Sequence, residues 1–332
     1  MRKTIILFIL IPLLYSLFLI NNNSFISSRH SDTGIVSGES EVELNLDHEI
    51  YRPEVKILGE KYLPKARDLT DYEPVLSKNA ANLVLPDCQA AALEAGNGFL
   101  LYKKNHNKTT PIASITKLAT ALVFLDHNPG WDSVYEVKNE DIIKGGRIYL
   151  RPGDKIKVKD LFYLSLVGSA NTATKALVSS TGMSQPVFVM KMNHKTRLMG
   201  LKDTIFKDPT GISPGNVSTP EETAMLAKAA FENTQIRKAT LTKNYSFITN
   251  KGSAITVNNT DLLLDHFPEN GVRIIGGKTG FTKTAGYCFV GLFENKEGKR
   301  IIVSVLKSDS YNKRFSLTKD ILDWVFASYQ WK

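Results

Sequence analysis

Residues 111–118 read PIASITKL and open a predicted helix that runs to about Asp126. Ser114 and Lys117 stand three positions apart at its start, a spacing that puts both side chains on one helix face. A serine hydroxyl becomes a good nucleophile when a base removes its proton, and a lysine with a depressed pKa can be that base. The helix N-terminus also favours negative charge that develops at Ser114. The stretch therefore predicts a nucleophile beside its base.

The order of short motifs along the chain, rather than the tetrapeptide Ser-x-x-Lys, selects Ser114. The tetrapeptide occurs four times, and Ser316 opens the last copy within a predicted terminal amphipathic helix, where a solvated face explains it. Only the copy at Ser114 precedes both Ser169-Ala170-Asn171 and Lys278-Thr279-Gly280. The lysine of the third motif is also a second cation that would lower the pKa of the first lysine. The ordered set is typical of serine acyl transfer on a peptide with a free C-terminus.

Each of the two later motifs has a functional and a structural interpretation. Lys278 and Thr279 follow two glycines at the end of an apolar strand, where the terminal carboxylate of an extended peptide can bind. Alternatively, Lys278 is an edge-strand lysine with turn glycines. Ser169 and Asn171 lie between two predicted helices, where a hydroxyl can relay a proton and an amide can hold a substrate backbone group. Alternatively, they cap the helix that begins near Thr172. The order of the three motifs favours the functional interpretation.

The composition is that of a globular protein with no sign of a nucleic-acid partner. The chain has 332 residues, is 42% hydrophobic and carries a net charge of +9, which suits anionic surroundings or is simply a basic surface. No basic run interleaved with aromatic residues appears, so we expect no nucleic acid. The histidines are scattered and neither Cys88 nor Cys288 has a CxxC partner, so we expect no metal and no cofactor. We interpret the cysteines as small buried apolar residues, with one disulfide as the alternative.

The chain divides into three segments by composition. Residues 1–22 hold two basic residues and an apolar run at 5–20, which is typical of a secretory signal or a short membrane anchor. The lack of a small-x-small cleavage site favours a retained anchor, and the positive charges place everything downstream outside the cytoplasm. Residues 23–85 are polar and then spaced by prolines, which predicts an extended juxtamembrane linker. Residues 86–332 form the predicted catalytic domain.

Predicted strands at both ends of this domain enclose a helical middle, so the fold class is α+β. The predicted strands cover residues 90–94, 99–103, 272–276, 287–293 and 300–306. The predicted helices after the first cover residues 158–165, 172–179, 186–199, 221–232 and about 314–329. Sequential hairpins favour antiparallel pairing. We therefore expect one antiparallel sheet completed by both ends of the domain, with helices on its faces and a helical insert.

From about residue 88 to residue 326 the chain resembles the serine-type D-Ala-D-Ala carboxypeptidases, the low-molecular-weight penicillin-binding proteins. The segments that carry the resemblance are PIASITKL at 111–118, LVGSANTA at 166–173, FKDPTGISP at 206–214, GKTGFTKTAGY at 277–287 and Arg314-Phe315 with Trp324 near the end. The resemblance implies a five-stranded antiparallel sheet flanked by helices, with a helical subdomain, as in the serine β-lactamases and penicillin-binding proteins.

The resemblance also implies a role for each motif residue. Ser114 would be the acylated nucleophile, Lys117 its base and Ser169 the third catalytic residue. The implied substrate-binding residues are Asn171, Lys278, Thr279, Gly280 and Phe281. The backbone N–H groups of Ser114 and Phe281 would form the oxyanion hole.

The implied function is removal of the terminal D-Ala from peptidoglycan stem peptides in the cell envelope, with β-lactams as covalent inhibitors of Ser114. The chain ends soon after the predicted terminal helix, as in relatives that cut peptide crosslinks, so a D,D-endopeptidase is an alternative. A β-lactamase shares the motifs, but no well-placed glutamate for the deacylating water is evident. A non-catalytic wall-binding or penicillin-binding protein is the remaining alternative, and the intact motifs count against it.

Overall fold

The computed structural model describes residues 73–331, in which strands from both ends of the domain meet in one sheet. The strands are β1 (Val75–Leu76), β2 (Gln89–Glu94), β3 (Leu100–Lys104), β4 (Thr110–Pro111), β5 (Val134–Glu136), β6 (Lys155–Lys157), β7 (Val217–Ser218), β8 (Asn244–Ile248), β9 (Ala254–Asn258), β10 (Arg273–Thr282), β11 (Gly286–Glu294), β12 (Arg300–Ser308) and β13 (Tyr329–Gln330). The helices are α1 (Thr116–Asp126), α2 (Val158–Leu166), α3 (Asn171–Ser180), α4 (Gln185–Leu198), α5 (Pro220–Glu232), α6 (Thr234–Thr240), α7 (Leu263–His266) and α8 (Lys313–Ser328). Single 3-10 turns lie at Ala113–Ile115 and Asn139–Asp141.

The central sheet has five strands in the order β10-β11-β12-β2-β3, and every neighbouring pair is antiparallel. The pairing of β12 with β2, in which Ser304 lies opposite Ala91, joins the two ends of the domain. The predicted fold class is therefore confirmed, together with the strand number that the family resemblance implies. Strand β10 lies at one edge of this sheet, so one side of it has no neighbour within the sheet.

Two hydrophobic cores lie on opposite faces of the sheet, as the alternation of side chains along a strand requires. The adjacent residues Phe289 and Val290 are both fully buried, yet Phe289 packs in the core beneath α8 and Val290 in the core beneath the helical region. Phe315 of α8 meets Phe289 edge to face. Burial of each such side chain contributes roughly 1.5–3 kcal/mol to stability. The core beneath the helical region also holds Ile112 and Ile115, which fix the turn that carries Ser114.

Most predicted elements are present, with small shifts at their ends. The first helix begins at Thr116 rather than at Ser114 as predicted, because residues 113–115 form a 3-10 turn. The strand predicted to end at residue 276 continues to residue 282, so the third motif lies inside β10 rather than after it. Helix α6 was not predicted, because it is short and directly follows α5. The side chain of Thr219 accepts a hydrogen bond from the backbone of Glu222 at 3.1 Å and so caps the start of α5.

Part of the predicted linker packs on the domain. Strand β1 pairs with β13 at the end of the chain, and the indole N–H of Trp324 donates to the carbonyl oxygen of Ala81 at 2.6 Å. Leu85 is buried in the core beneath α8. Residues 73–85 are thus bound to the domain rather than extended away from it. The remainder of the linker and the predicted anchor at 1–22 lie outside the described residues.

Two further sequence expectations concern the membrane and the cysteines. Within residues 73–331 no helix combines the length and the apolar character that crossing a membrane requires. Cys88 and Cys288 are both buried with free thiols, which confirms their interpretation as small buried residues.

Candidate active site

Ser114 occupies the middle of the 3-10 turn that precedes α1, and Lys117 lies in the first turn of that helix. Ala113 has a positive φ of 47°, so the backbone bends sharply where it presents the serine. The Lys117 side-chain nitrogen Nζ lies 2.9 Å from Ser114 Oγ. Lys117 is fully buried, whereas Ser114 is partly exposed. The predicted pair is therefore assembled, with the hydroxyl open to solvent and the amine behind it.

The other contacts of Lys117 fix the orientation of its side-chain nitrogen. Its Nζ donates to Asn171 Oδ1 at 2.8 Å and to the carbonyl oxygen of Thr210 at 2.6 Å. Both oxygens only accept hydrogen bonds, so they take two N–H groups of the lysine. A neutral amine has two N–H groups and one lone pair. The lone pair then faces the Ser114 hydroxyl, which is the arrangement that a base requires.

The electrostatics of the pocket act in the same direction. Burial lowers the pKa of Lys117 well below its usual range, and the nearby Lys278 lowers it further. Asp208 is an anion that raises the Lys117 pKa, but its effect is smaller than those of burial and Lys278. The Lys117 amine can therefore be neutral at a pH where an exposed lysine is charged.

The second motif lies at the start of α3 and does not cap that helix. Ser169 has a positive φ of 55°, and Ala170 occupies the cap position without a side-chain hydrogen bond from a cap residue. Asn171 is the first helical residue, and its side chain faces Lys117 on one side. On the other side its Nδ2 donates to the carbonyl oxygen of Gly145 at 3.1 Å, which fixes the orientation of the amide. The alternative interpretation of these residues as a helix cap is therefore wrong.

The third motif joins the other two through Lys278. Its Nζ donates to Ser169 Oγ at 3.0 Å and to the carbonyl oxygen of Thr279 at 3.1 Å, which leaves one N–H of the ammonium without a partner among residues 73–331. Burial lowers the pKa of Lys278 to about 7, Arg314 lowers it in the same direction, and Asp261 opposes both. The Lys278 pKa therefore lies near neutral pH.

Gly280 and Phe281 bring the edge strand against the turn that carries Ser114. A Cβ atom at Gly280 would lie 2.7 Å from the carbonyl oxygen of Ile112 and 3.2 Å from the backbone nitrogen of Ser114. Only glycine allows this close approach of β10. Phe281 is 49% exposed and its ring stacks on Tyr287 with 4.3 Å between centroids. The structure thus brings Ser114, Lys117, Ser169, Asn171, Lys278 and Gly280 together, with Thr279 and Phe281 beside them.

The loop at residues 206–214 completes the surroundings of Lys117, and its roles were not predicted. Asp208 accepts hydrogen bonds from the backbone of Thr210, Gly211 and Ser213 at 2.7–2.9 Å and from the Thr210 hydroxyl at 2.6 Å. These bonds hold the turn that aims the Thr210 carbonyl at Lys117. Gly211 has a φ of 89°, and a Cβ there would lie 2.1 Å from the carbonyl oxygen of Ala113. The turn-forming sequence Asp-Pro-Thr-Gly is the signal from which this loop could have been found.

A serine–lysine pair at the start of a helix, beside a lysine on a sheet edge, is the arrangement of serine acyl-transfer enzymes that use a lysine as base. The sequence profile of the peptidase S11 family, described as D-alanyl-D-alanine carboxypeptidase, matches residues 80–310. The chain therefore belongs to this family of serine-type D-alanyl-D-alanine carboxypeptidases, and the resemblance identified from the motifs is confirmed.

Individual relatives carry related but different activities. The D-alanyl-D-alanine carboxypeptidase DacF of Bacillus subtilis is 30% identical over 76% of this chain and 65% of its own length. The D-alanyl-D-alanine endopeptidase of Haemophilus influenzae is also 30% identical, over 73% of this chain and 85% of its own length. The crystal structure of the Streptomyces K15 DD-transpeptidase superposes with a TM-score of 0.67 at 30% identity, over 74% of this chain and 100% of that one. The chain thus spans somewhat less than two thirds of DacF and all of the Streptomyces domain.

Proposed function

We propose that this protein is a penicillin-sensitive serine D-Ala-D-Ala carboxypeptidase that acts on peptidoglycan stem peptides in the cell envelope. The family assignment supports the reaction class. One observation carries the proposal: Lys117 Nζ lies 2.9 Å from Ser114 Oγ while its two N–H groups are taken by Asn171 and Thr210. A neutral lysine held in this way has its lone pair free for one proton, that of the serine.

In the proposed acylation step, Lys117 takes the proton from Ser114 as Oγ attacks the carbonyl carbon of the penultimate D-Ala. The backbone N–H groups of Ser114 and Phe281 stabilise the oxyanion that forms. The approach of β10 at Gly280 to the Ser114 nitrogen supports this assignment of the oxyanion hole. Collapse of the tetrahedral intermediate breaks the peptide bond and leaves the penultimate residue as an ester on Ser114.

The leaving D-Ala needs a proton on its nitrogen and an anchor for its carboxylate. Ser169 donates the proton and is re-supplied from Lys117 or Lys278, the second of which it contacts at 3.0 Å. The free N–H of Lys278 and the hydroxyl of Thr279 bind the terminal carboxylate. Asn171 orients the backbone of the acyl part. Water then hydrolyses the ester as Lys117 again acts as the base.

The proposal is tested with the chain from which the first 22 or so residues are removed. Incubation with penicillin is expected to add the mass of one inhibitor, on the peptide that contains Ser114. A D-Ala-D-Ala pentapeptide is expected to release D-Ala, and Ser114→Ala is expected to abolish both results. Full turnover by Ser114→Ala would refute the assignment of the nucleophile. Neither adduct nor D-Ala release by the wild-type protein would favour the non-catalytic alternative.

A D,D-endopeptidase activity is the second candidate. It rests on the relatives named D-alanyl-D-alanine endopeptidase in Haemophilus influenzae and Pseudomonas aeruginosa, which are 30% and 32% identical to this chain. Both reactions attack the carbonyl of a D-Ala residue and differ in what leaves. A purified crosslinked dimer of stem peptides, compared with the pentapeptide at equal concentration, separates the two by their kcat/KM values.

We further infer that the N-terminal segment holds the domain outside the cytoplasmic membrane. The support is the sequence of residues 1–22, in which two basic residues precede an apolar run. The test is the mass of the full-length protein recovered from membranes. An intact N-terminus in the membrane fraction supports an anchor, and a shortened protein outside that fraction supports a cleaved signal.

A further inference from the structure

A buried carboxyl group that the proposed reaction does not use lies against the carboxylate-binding strand. Asp261 is 3% exposed and lies shortly before α7, separated from it by Leu262. Its Oδ1 accepts a hydrogen bond from the backbone of Leu263 at 2.9 Å, but Oδ2 has no hydrogen-bond partner in the described part of the chain. A buried carboxylate oxygen without a partner is expensive, since it gives up its hydration. A purely structural role for Asp261 does not account for this unpartnered oxygen.

The strand is shaped to receive this carboxyl group. A Cβ atom at Gly277 would lie 2.1 Å from Asp261 Oδ2, so the carboxyl group sits directly on the bare backbone of residue 277. A Cβ atom at residue 277 would displace the Asp261 carboxyl group. Gly277 immediately precedes Lys278, so the carboxyl group is seated one residue from the lysine that we propose binds the substrate.

Thr260, the residue before Asp261, also contacts β10. The hydroxyls of Thr260 and Thr279 lie 2.5 Å apart, and the backbone N–H of Thr260 donates to the carbonyl oxygen of Val167 at 3.3 Å. Residues 260 and 261 therefore contact β10 at alternate positions, 279 and 277, and connect it to the loop that carries Ser169. The segment is part of the support of the site rather than a distant surface loop.

The charges around the carboxyl group come from three elements. The positive charges of Arg314 on α8 and Lys278 on β10 act on it, together with the negative charge of Asp265 on α7. Arg314 is 2% exposed, and its Nη1 donates to the carbonyl oxygens of Gly280 and Cys288, at 3.3 and 3.4 Å. Two cations are therefore buried close together. Cations in such surroundings lose their protons or need a compensating anion, and Asp261 is the buried acid beside them.

We propose that Asp261 is a positioning residue for substrate recognition: its carboxylate, seated on Gly277, keeps Lys278 in the charged form that receives the terminal carboxylate of the acyl donor. This inference rests on the proposed function. Burial raises the pKa of Asp261 to about 7, against the backbone hydrogen bond from Leu263 and the charges of Arg314 and Lys278, which lower it. Asp261 in turn raises the Lys278 pKa against the effects of burial and Arg314. Loss of the Asp261 charge would thus lower the Lys278 pKa below about 7 and leave more of the lysine neutral at pH 7.

The kinetic test compares Asp261→Asn with wild type, using a D-Ala-D-Ala peptide and, for acylation alone, benzylpenicillin and its methyl ester. We expect KM for the peptide to rise about tenfold with kcat within about twofold, and the alkaline limb of kcat/KM to move on the order of one pH unit lower. The preference for benzylpenicillin over its ester is expected to fall about tenfold, since the ester has no charge for Lys278 to bind. The matched control is Asp265→Asn, which removes an exposed carboxylate that pairs with Lys243 on the surface.

A titration separates this inference from the proposed function, because it needs no turnover. In protein labelled with 15N-lysine, with the signal assigned by Lys278→Gln, Asp261→Asn is expected to lower the pKa of Lys278 and Asp265→Asn to leave it unchanged. Wild-type protein without D-Ala release refutes the proposed function, whatever the titration shows. An unchanged Lys278 pKa in Asp261→Asn, or a rise in KM that is equal for benzylpenicillin and its ester, overturns the role of Asp261.

A second variant guards against a folding defect. Gly277→Ala forces the Asp261 carboxyl group from its seat and is expected to lower the Lys278 pKa in the same way as Asp261→Asn. In Asp261→Ser, the shorter side chain leaves room for a methyl group, so adding Gly277→Ala is expected to change the pKa no further. Additive effects of the two substitutions in the double variant would show that Gly277 acts independently and would also refute the proposal.

Discussion

The substitution Gly280→Ala tests whether the distance between the edge strand and the nucleophile turn sets the rate of acylation. The added Cβ would lie 2.7 Å from the carbonyl oxygen of Ile112, about 0.7 Å inside ordinary contact distance. Backbone occupies both sides of this contact, so the strand itself must retreat by several tenths of an ångström. A misplacement of about 1 Å in a reacting group slows a reaction on the order of 100-fold. We therefore expect a 10- to 100-fold loss, which corresponds to about 1.4–2.7 kcal/mol of transition-state stabilisation.

The assay is the second-order rate of acylation by a fluorescent penicillin, with thermal unfolding measured in parallel. The control is Gly96→Ala, since the nearest atom to its new Cβ is the flexible carboxylate of Glu94 at 3.0 Å. The control is expected to acylate at the wild-type rate. If Gly280→Ala acylates as fast as wild type at an unchanged melting temperature, the close approach of β10 is a packing feature and the proposed oxyanion geometry is wrong.

Three further predictions concern the charges of the site. Lys117→Arg is expected to lower the acylation rate about 10²–10⁴-fold with the fold retained, because a guanidinium does not give up its proton; stopped-flow acylation and circular dichroism measure both effects. In wild type, the acylation rate is expected to fall as the pH drops through the depressed pKa of Lys117. KM is expected to rise as the pH increases above the Lys278 pKa of about 7, because the lysine then loses its charge. A pH series of kcat and KM separates the two effects. Asp208→Asn is expected to lower the free energy of unfolding at pH 7 by roughly 1.5–3 kcal/mol in urea. Because the folded pKa of Asp208 is depressed, that difference is expected to shrink as the pH falls through it.

The sequence was sufficient for the sheet and the reacting groups, for reasons that are local. Strand and helix periodicity predicted the five central strands and most helices, and the motif order selected Ser114 from four copies of its tetrapeptide. The spacing of Ser114 and Lys117 predicted their contact, because residues three apart on a helix are neighbours. Sequence patterns can predict interactions between residues that lie only a few positions apart.

The supporting residues were missed, because their partners are distant in sequence. Thr210 contributes only a backbone carbonyl, which any residue has, and it reaches Lys117 from 93 positions away. In the sequence, Asp261 resembles an ordinary residue at the start of a helix. The role of Gly277 is visible only in the fold, where the Asp261 carboxyl group occupies the space that a Cβ atom would fill. The cap interpretation of Ser169 was open for the same reason: only the fold decides whether a hydroxyl faces its own helix or Lys278.

The position of Asp208 explains how a buried lysine remains a base beside an acid. An ion pair with a carboxylate would raise the Lys117 pKa and keep the amine protonated. Asp208 instead directs its oxygens at four donors of its own turn, and these bonds hold its pKa below the usual range despite burial. What reaches Lys117 from that turn is the neutral carbonyl of Thr210, which orients the amine without supplying a full negative charge. The Asp208 carboxylate thus holds the shape of the turn, and Lys117 remains free to lose its proton.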